Sequence, residues 1–203
     1  MSSGHAVQGL KPVISGYNPA SLLDSDSGIL LKSTGVEPDQ ASITAISPWR
    51  FSAEISPDMA ALREGRDIDL AELIEFSKQR IETNSRKGII TLLEGVGGVM
   101  VPLNNKATVL DWMSALKIPV ILVAGTYLGT ISHTLTAYAA IRSKGLEVKH
   151  IILSESADNP VPTAETEAAI SRFLQNVAIT RLPRVDNGPS PWLNCSDLTH
   201  IIK

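Results

Sequence analysis

Short apolar runs rich in Ile and Val recur along the chain and predict buried β-strands. The clearest are Gly88–Leu93 and Pro119–Ala124, while His150–Leu153 is shorter and Val177–Leu182 is weaker. Uninterrupted runs of this length are typical of strands that are covered on both faces.

Helical patterns fill the stretches between these runs. Residues Ile68–Ile81 start near an acidic residue, Asp69, and continue with apolar residues at helical spacing. The remaining predicted helices are Thr108–Leu116, Ile131–Lys144 and Ala164–Leu174. Gly145 suits the end of the helix before it. Strands that alternate with helices imply an α/β fold with a mostly parallel sheet, whose ligands bind beyond the carboxyl ends of the strands.

The composition fits a single globular domain. The chain has 203 residues, of which 43% are hydrophobic but only 4% aromatic. We therefore expect one α/β domain, residues 1–203, with a core built mainly from aliphatic side chains. Residues Gly35–Pro57 are rich in Pro, Ser and Thr and predict a long connection that carries at most short elements.

Charge and cysteine content narrow the class of protein. The formal net charge is -3 with no basic block, which argues against binding to nucleic acid or to an anionic membrane. No run of about 18 apolar residues predicts a membrane span, and the first residues show no secretory signal. The lone cysteine, Cys195, cannot form an internal disulfide, so we expect a protein of the reducing cytoplasm.

The loop after the first long strand carries the strongest chemical signal. Glu94 ends that strand, and Gly95, Val96, Gly97 and Gly98 follow it. A carboxylate at the end of a buried strand needs an ionic partner, and in nucleotide-hydrolysing α/β proteins that partner is Mg²⁺. The glycines would let backbone N–H groups approach an anion. A structural salt bridge in a tight turn is the alternative.

Two further candidates lie near the N-terminus. Lys11, within Gly9–Gly16, could hold a phosphate or carbamate as a point charge, although a lysine beside a turn is usually solvated. Asp24–Ser27 precedes a helical stretch, where Asp and Ser are ordinary N-cap residues but could also supply oxygen ligands to Mg²⁺. Local sequence alone favours the structural interpretation of both.

The segment Gly125–His133 follows another strand and begins a helix. Hydroxyls and free backbone N–H groups there could receive a carboxylate. His133 is of a type more often found packing or on a helix surface, and its tunable pKa is the argument for a chemical role. Neither G-x-S-x-G nor H-E-x-x-H occurs, which gives little weight to hydrolase and zinc-protease functions.

These loops, in this order, resemble those of the dethiobiotin synthetases, a family of biotin synthesis. GLKPVISG resembles the family's G-x-K-P-V-x-S-G signature, and LLDSDSGILL resembles its Ser-Asp pair at a helix start. FSAEISPDMAALREGRDID resembles a family stretch with Ser-Pro and an acidic-glycine turn. The family's central block is similar to three segments here: EGVGG, the VPL and D-W that follow it, and LGTISH. The similarity runs from about Ala6 to Val185.

The resemblance implies a P-loop NTPase-like, doubly wound α/β fold that works as a homodimer. The substrates would be 7,8-diaminopelargonate, CO2 and ATP, with Mg²⁺. The implied reaction forms a carbamate on one amine and converts it to a mixed anhydride with the γ-phosphoryl group of ATP. The second amine then attacks, which closes the ureido ring and releases phosphate.

The resemblance also implies roles for individual residues. Lys11 would be the catalytic lysine that meets the carbamate and phosphate, and Ser15 would be a hydroxyl on the substrate side. Asp26 and Glu94 would bind Mg²⁺ and, through it, the nucleotide. The loop that lines substrate and phosphates would be Gly95, Val96, Gly97 and Gly98, with Gly97 also at the nucleotide. The helix start that receives the substrate carboxylate of the neighbouring subunit would be Gly129, Thr130, Ile131 and Ser132.

One departure from the family pattern concerns the nucleotide base. The family places an Asn-Asp pair after the next strand, where the Asn contacts adenine, but this chain has Ser154 and Glu155. Base recognition is then looser, or is carried by Ser154 and the loop formed by Leu182, Pro183 and Arg184.

A larger departure lies at the N-terminus. The family begins with a strand, a G-x-x-x-x-G-K-[ST] loop and a helix, whereas only Met1–His5 precede the lysine strand here. We expect the first strand, the phosphate loop and most of the first helix to be missing, and the chain as written to bind ATP weakly and to be inactive. The alternative is a non-catalytic, dimer-forming relative that binds the substrate but not ATP. A cobyrinate or cobyric acid synthetase is disfavoured by the short length and the absence of a glutaminase domain.

Overall fold

The computed structural model describes residues 5–185, 195 and 197–202. The chain falls into two compact units, Met1–Leu116 and Lys117–Lys203. The prediction of a single domain over residues 1–203 stays a prediction.

The first unit combines short strands with helices. Its elements are β1 (Val7–Leu10), β2 (Val13–Ser15), a 3-10 helix (Pro19–Asp24), α1 (Asp26–Ser33), α2 (Gln40–Ile46), β3 (Trp49–Phe51), α3 (Pro57–Arg63), α4 (Leu70–Arg86), β4 (Ile90–Leu93) and α5 (Val109–Leu116).

The second unit alternates strands and helices more regularly. Its elements are β5 (Val120–Ala124), α6 (Thr130–Ser143), β6 (Val148–Ser154), α7 (Thr163–Ser171), β7 (Ala178–Leu182) and a 3-10 helix (Thr199–Ile201).

All the strand pairs formed by these elements are parallel, as predicted. In the first unit β1 pairs with β4, and β2 pairs with β3. Only Lys11 and Pro12 separate β1 from β2. Pro12 has no N–H to donate, but its carbonyl accepts from Trp49 N–H at 3.0 Å. One extended run of backbone therefore pairs first with β4 and then with β3. In the second unit the strand order is β5-β6-β7.

The predicted strands and helices are confirmed, with shifted ends. β6 is longer than its apolar run because it starts at Val148, two residues earlier. The helix predicted to end at Ile81 continues to Arg86. Its apolar periodicity stops at Ile81, but buried Asn84 donates to Gln8 Oε1 and Thr91 Oγ1, both at 2.9 Å. Hydrogen bonds thus hold the last turn where apolar packing does not.

The stretch Gly35–Pro57 carries only short elements, as predicted: α2 and β3 lie within it. A capping box starts α2, since Asp39 Oδ1 accepts from Ser42 N–H at 2.6 Å and Ser42 Oγ accepts from Asp39 N–H at 2.9 Å. α3 follows, and its buried residues Pro57, Ala60 and Ala61 are small but stand at helical spacing. Burial of Ala60 and Ala61 holds it against the core.

Each unit has its own buried apolar side chains. In the first, the cluster around Phe51, Leu73 and Trp112 joins β2, β3, α3, α4 and α5. The indole N–H of Trp112 donates to Ser77 Oγ at 3.1 Å inside this cluster. In the second unit the buried residues are mostly aliphatic, including Ile151 and Leu153 of β6. Over the described part of the chain, no helix is both long and apolar enough to span a membrane.

Candidate active site

The register of β1 and β4 places Lys11 beside Glu94. Leu10 pairs with Leu93, and Glu94 N–H donates to Leu10 O at 2.8 Å, which extends the pairing past the end of both strands. The residues that follow these two, Lys11 and Glu94, are therefore neighbours. Lys11 Nζ lies 2.7 Å from Glu94 Oε1 at the carboxyl ends of these parallel strands.

Lys11 is buried and has three polar partners. Its side chain is 7% exposed, and Nζ donates to Glu94 Oε1 and, at 3.0 Å, to Gly95 O. Asp26 Oδ2 lies 3.4 Å from the same nitrogen as an ion-pair partner. A buried ammonium group is costly without such partners. Two carboxylates and a carbonyl therefore compensate this charge, and the solvated lysine that local sequence favours is not what the fold forms.

Asp26 reaches this site as the first residue of α1. Ser25 caps the helix by accepting from Gly28 N–H at 3.0 Å, and a carboxylate in the first turn is favoured by the helix dipole. A β-carbon on Gly28 would lie 2.1 Å from Leu22 O, so no other residue fits this close approach of the 3-10 helix. The N-cap interpretation holds for Ser25, while Asp26 points its charge at Lys11.

The donor set fits a hard divalent cation. The Asp26 and Glu94 side chains are 58% and 53% exposed, and one lysine balances only one of their two charges. Mg²⁺ is usually bound through one or two carboxylates together with substrate phosphates and water. Across the described residues there is no cluster of three or more His, Cys, Asp or Glu side chains that could cage a metal alone. The site therefore suits Mg²⁺ that arrives with a phosphate ligand.

The loop after Glu94 is anchored at Gly95 and Val96 and open to solvent at Gly98. Val96 is buried in the core, while the carbonyl of Gly95 accepts from Lys11. Gly97 has φ 62°, and a β-carbon there would lie 2.9 Å from Val101 Cγ2. No atom lies within 4 Å of the position that a β-carbon on Gly98 would take. This backbone is accessible to a ligand, as the predicted role in lining substrate and phosphates requires.

Ser15 lies at the end of β2, opposite Phe51. Gly16 follows with φ 79°, and Glu54 packs so closely that a β-carbon at this glycine would lie 2.6 Å from Glu54 Cγ. Among the described residues, no hydrogen bond joins the Ser15 hydroxyl to Lys11. The substrate-side role of Ser15 stays a prediction.

In the second unit, the start of α6 has no side-chain cap. Gly129 is its N-cap residue with φ 100°, which favours glycine. The Thr130 hydroxyl donates to Gly125 O at 2.7 Å, and Ile131 and Ser132 are exposed. The first N–H groups of an α-helix have no intrahelical acceptor. This geometry suits an anion, but the predicted carboxylate site stays a prediction.

His133 has a local packing role. Its Nδ1 lies 2.9 Å from the Tyr127 hydroxyl, and its Cε1 lies 3.6 Å from the position that a β-carbon on Gly129 would take. The ring thus covers the turn before α6. The structure supports the packing interpretation of His133, and no sequence signal identified Tyr127 as its partner.

The ends of β6 and β7 bring together the residues predicted to meet the nucleotide base. Ser154 pairs with Leu182, and Glu155 N–H donates to Leu182 O at 2.9 Å. Glu155 Oε2 also accepts from Arg184 N–H at 3.0 Å, across Pro183. Glu155 therefore ties the two loops together. An acidic residue at a strand end was the signal that selected Glu94, and it would have selected Glu155 as well.

The fold and this site define the class of protein. The chain has the parallel α/β construction of the P-loop NTPase-like proteins, and residues 1–189 match the family model described as AAA domain. Among curated relatives, the chain is 46% identical to the ATP-dependent dethiobiotin synthetase BioD of Acidiphilium cryptum over 166 residues, covering 81% of this chain and 73% of the relative. It is 40% identical to that of Methylobacterium nodulans (84% and 77% covered) and 38% to that of Phenylobacterium zucineum (94% and 80% covered).

The chain belongs to the dethiobiotin synthetase family, whose members named here are ATP-dependent enzymes. This confirms the family resemblance and the P-loop NTPase-like fold class expected from the sequence.

Proposed function

We propose that this protein is an ATP- and Mg²⁺-dependent cyclo-ligase that makes dethiobiotin from 7,8-diaminopelargonate and CO2. The observation that carries the proposal is the Lys11–Glu94–Asp26 cluster at the carboxyl ends of β1 and β4, in a chain of this family. Ring closure of this kind needs a site that gathers anions, since a carbamate must meet the γ-phosphate. A buried ammonium beside two carboxylates that can hold Mg²⁺ provides such a site once the metal is bound.

The charged residues of this cluster have separate roles in the proposed reaction. Lys11 supplies a positive charge for the carbamate and phosphate oxygens, and Asp26 and Glu94 are the residues that would hold Mg²⁺. When bound, Mg²⁺ supplies charge neutralisation at the phosphates. The backbone of Gly95, Val96, Gly97 and Gly98 can approach the same anions, and Ser15 can donate a hydroxyl hydrogen bond to the substrate.

The carboxylate end of 7,8-diaminopelargonate needs a different receptor. The uncapped start of α6, from Gly129 to Ser132, supplies N–H donors and the positive end of a helix dipole. We place the substrate carboxylate there, on a partner copy within a homodimer, as the family resemblance implies.

The base of ATP is assigned to the ends of β6 and β7. Ser154 can donate and accept a hydrogen bond, and the backbone of Leu182, Pro183 and Arg184 lies beside it. A single hydroxyl specifies a base less strictly than the two-sided amide of Asn, so this site favours loose selection among nucleotides. We place the reaction in the cytoplasm, which supplies ATP and keeps cysteine side chains reduced.

The test is synthesis of dethiobiotin from isotopically labelled bicarbonate by the purified chain, followed by mass spectrometry. We expect product with ATP and Mg²⁺, which would correct the inactivity expected from the sequence. We expect a rate on the order of 100-fold lower for Glu94→Gln, because the metal charge at the phosphates is weakened. Glu72→Gln, an exposed change on α4, is the matched control. Binding of 7,8-diaminopelargonate should survive Glu94→Gln.

The proposal fails if the chain forms no dethiobiotin, or if Glu94→Gln keeps the full rate at saturating Mg²⁺. Binding of 7,8-diaminopelargonate without any product would instead favour the non-catalytic relative.

A further inference from the structure

Lys11 lies between the two carboxylates that the proposed function gives to Mg²⁺. Its Nζ is 2.7 Å from Glu94 Oε1 and 3.4 Å from Asp26 Oδ2, whereas the side chain itself is 93% shielded from solvent. The carboxylates are more than half exposed. The buried group is therefore the cation, and the oxygens that face solvent are those that an incoming metal would meet first.

Lysine and metal compete for these oxygens. An ammonium that donates to a carboxylate oxygen occupies the lone-pair direction that a metal needs, and two cations held within a few ångströms repel each other strongly. Two carboxylates left without any cation would also repel each other. A metal that binds Glu94 Oε1 and Asp26 Oδ2 would lie against the Lys11 ammonium, and release of the ammonium relieves that repulsion.

We propose that Lys11 is the counter-ion of Asp26 and Glu94 while the enzyme is empty, and that Mg²⁺ displaces its ammonium from both carboxylates. This inference rests on the proposed function and deepens it. The four-carbon stem of lysine lets Nζ swing without backbone movement, and the Gly95 carbonyl, 3.0 Å away, keeps one partner for it during the exchange.

The exchange couples metal loading to substrate binding. While both carboxylates hold Lys11, its positive charge is neutralised, and an anionic substrate gains little from it. Once Mg²⁺ holds the carboxylates, the ammonium becomes the free positive charge that a carbamate or phosphate requires. Metal and anion should therefore strengthen each other's binding, because each favours the same position of Lys11.

The accessibility of Lys11 in the unmodified protein gives the first test. A short pulse of reductive methylation, with peptide mass spectrometry, measures the rate at each lysine with and without MgCl2. We expect Lys11 to react roughly tenfold more slowly than exposed Lys78 without metal, and to speed up several-fold at saturating Mg²⁺. Lys78 should not change. A rate at Lys11 that stays constant or falls while Mg²⁺ binds overturns the proposal.

Metal affinity gives the second test, with Mn²⁺ as the probe and electron paramagnetic resonance as the measurement. Lys11→Met removes the competitor, so we expect its Kd for Mn²⁺ to be about tenfold lower than that of the wild type. Lys32→Met removes an equal charge from α1 and is the matched control. Equal affinities for Lys11→Met and Lys32→Met overturn the proposal.

The two proposals fail separately. Absence of Mn²⁺ binding to both the wild type and Lys11→Met overturns the exchange together with the metal assignment. A different result separates them: Lys11 reacts faster with Mg²⁺ and Lys11→Met binds Mn²⁺ more tightly, but no dethiobiotin forms. That result supports the exchange and contradicts only the proposed reaction.

Discussion

At Lys11, one buried ammonium group holds together three segments that are far apart in the sequence. Glu94 is 83 residues away, yet its carboxylate accepts a 2.7 Å hydrogen bond from Nζ. A lysine flanked by Leu and Pro is ordinarily exposed, and nothing in its local sequence predicts burial. The pairing of β1 with β4 decides the environment of Lys11, because the pairing of Leu10 with Leu93 places Glu94 beside Lys11.

A second buried polar contact, between Trp112 and Ser77, leads to a stability prediction. Ser77→Ala would leave the indole N–H buried without an acceptor, which costs about 1–3 kcal/mol. We expect that loss in the free energy of unfolding measured with urea. Ser85→Ala, an exposed change on the same helix, should be close to neutral. Equal effects of the two changes would show that the hydrogen bond contributes nothing.

His150 leads to a prediction about pH. Burial of the imidazole, and then the nearby His200, lower the pKa of His150 below its ordinary value of 6.5. The unfolded chain therefore takes up this proton more readily than the folded protein. The free energy of unfolding should fall as the pH drops below about 6.5 and should not depend on this group above that pH.

His150→Gln should weaken this fall in urea titrations between about pH 5 and pH 8, because the neutral amide can still bond to Thr180. His5→Gln, at an exposed position, serves as the control. If His150→Gln and the wild type lose stability in parallel, another group causes the acid sensitivity.

At the scale of elements, the candidate functional residues lie at the carboxyl ends of short strands and at helix starts. β4 ends just before Glu94, β6 ends just before Glu155, and α1 begins at Asp26. Strand ends and helix starts are where backbone groups and charges converge on a ligand, as the parallel sheet rule predicts. The acidic start of α4 and the apolar runs of β4 to β7 were readable from the sequence, since both depend on neighbours within a few residues.

Glu155, which links the loops after β6 and β7, leads to a prediction at this scale. Glu155→Ala removes the acceptor for Arg184 N–H, and one hydrogen bond contributes about 0.5–1.5 kcal/mol. We expect the KM for ATP to rise roughly two- to tenfold, while the KM for 7,8-diaminopelargonate stays unchanged. Exposed Glu165→Ala on α7 is the control. A rise in both KM values would indicate a general loss of structure and not a nucleotide effect.

At the scale of the whole molecule, the proposed substrate receptors lie in separate units of the chain. Lys11, Asp26 and Glu94 belong to the first unit, and the start of α6 belongs to the second. A homodimer lets the second unit of one copy serve the first unit of another, which is the arrangement that we propose for the substrate.

Mixing two inactive variants tests this sharing. Lys11→Ala removes the ammonium, and Ser132→Asp places a negative charge where the substrate carboxylate would bind. After subunit exchange, half of the dimers are mixed and each has one intact site, so about a quarter of the wild-type activity should return. Each variant exchanged with itself is the control. No recovery under conditions where exchange is demonstrated would refute a shared site.

The sequence by itself determined the order and type of the elements from α4 to β7 and the loops that carry the candidate residues. Apolar runs predicted the strands near Ile90 and Val120, and Gly145, with φ 72°, ends α6 as expected. These features depend on interactions between residues close in the chain, so their signals are local. The motifs that resemble the dethiobiotin synthetases also lie within single loops.

Only the tertiary structure decided which of these residues meet. The burial of Lys11, its contacts with Asp26 and Glu94, and the tie from Glu155 to Arg184 follow from strand register and from helix positions. Register is set by packing between segments distant in the sequence, and a shift by one residue would turn each side chain to the opposite face. The compensation of the Lys11 charge by Asp26 and Glu94 therefore depends on the packed chain, and no short stretch of the sequence predicts it.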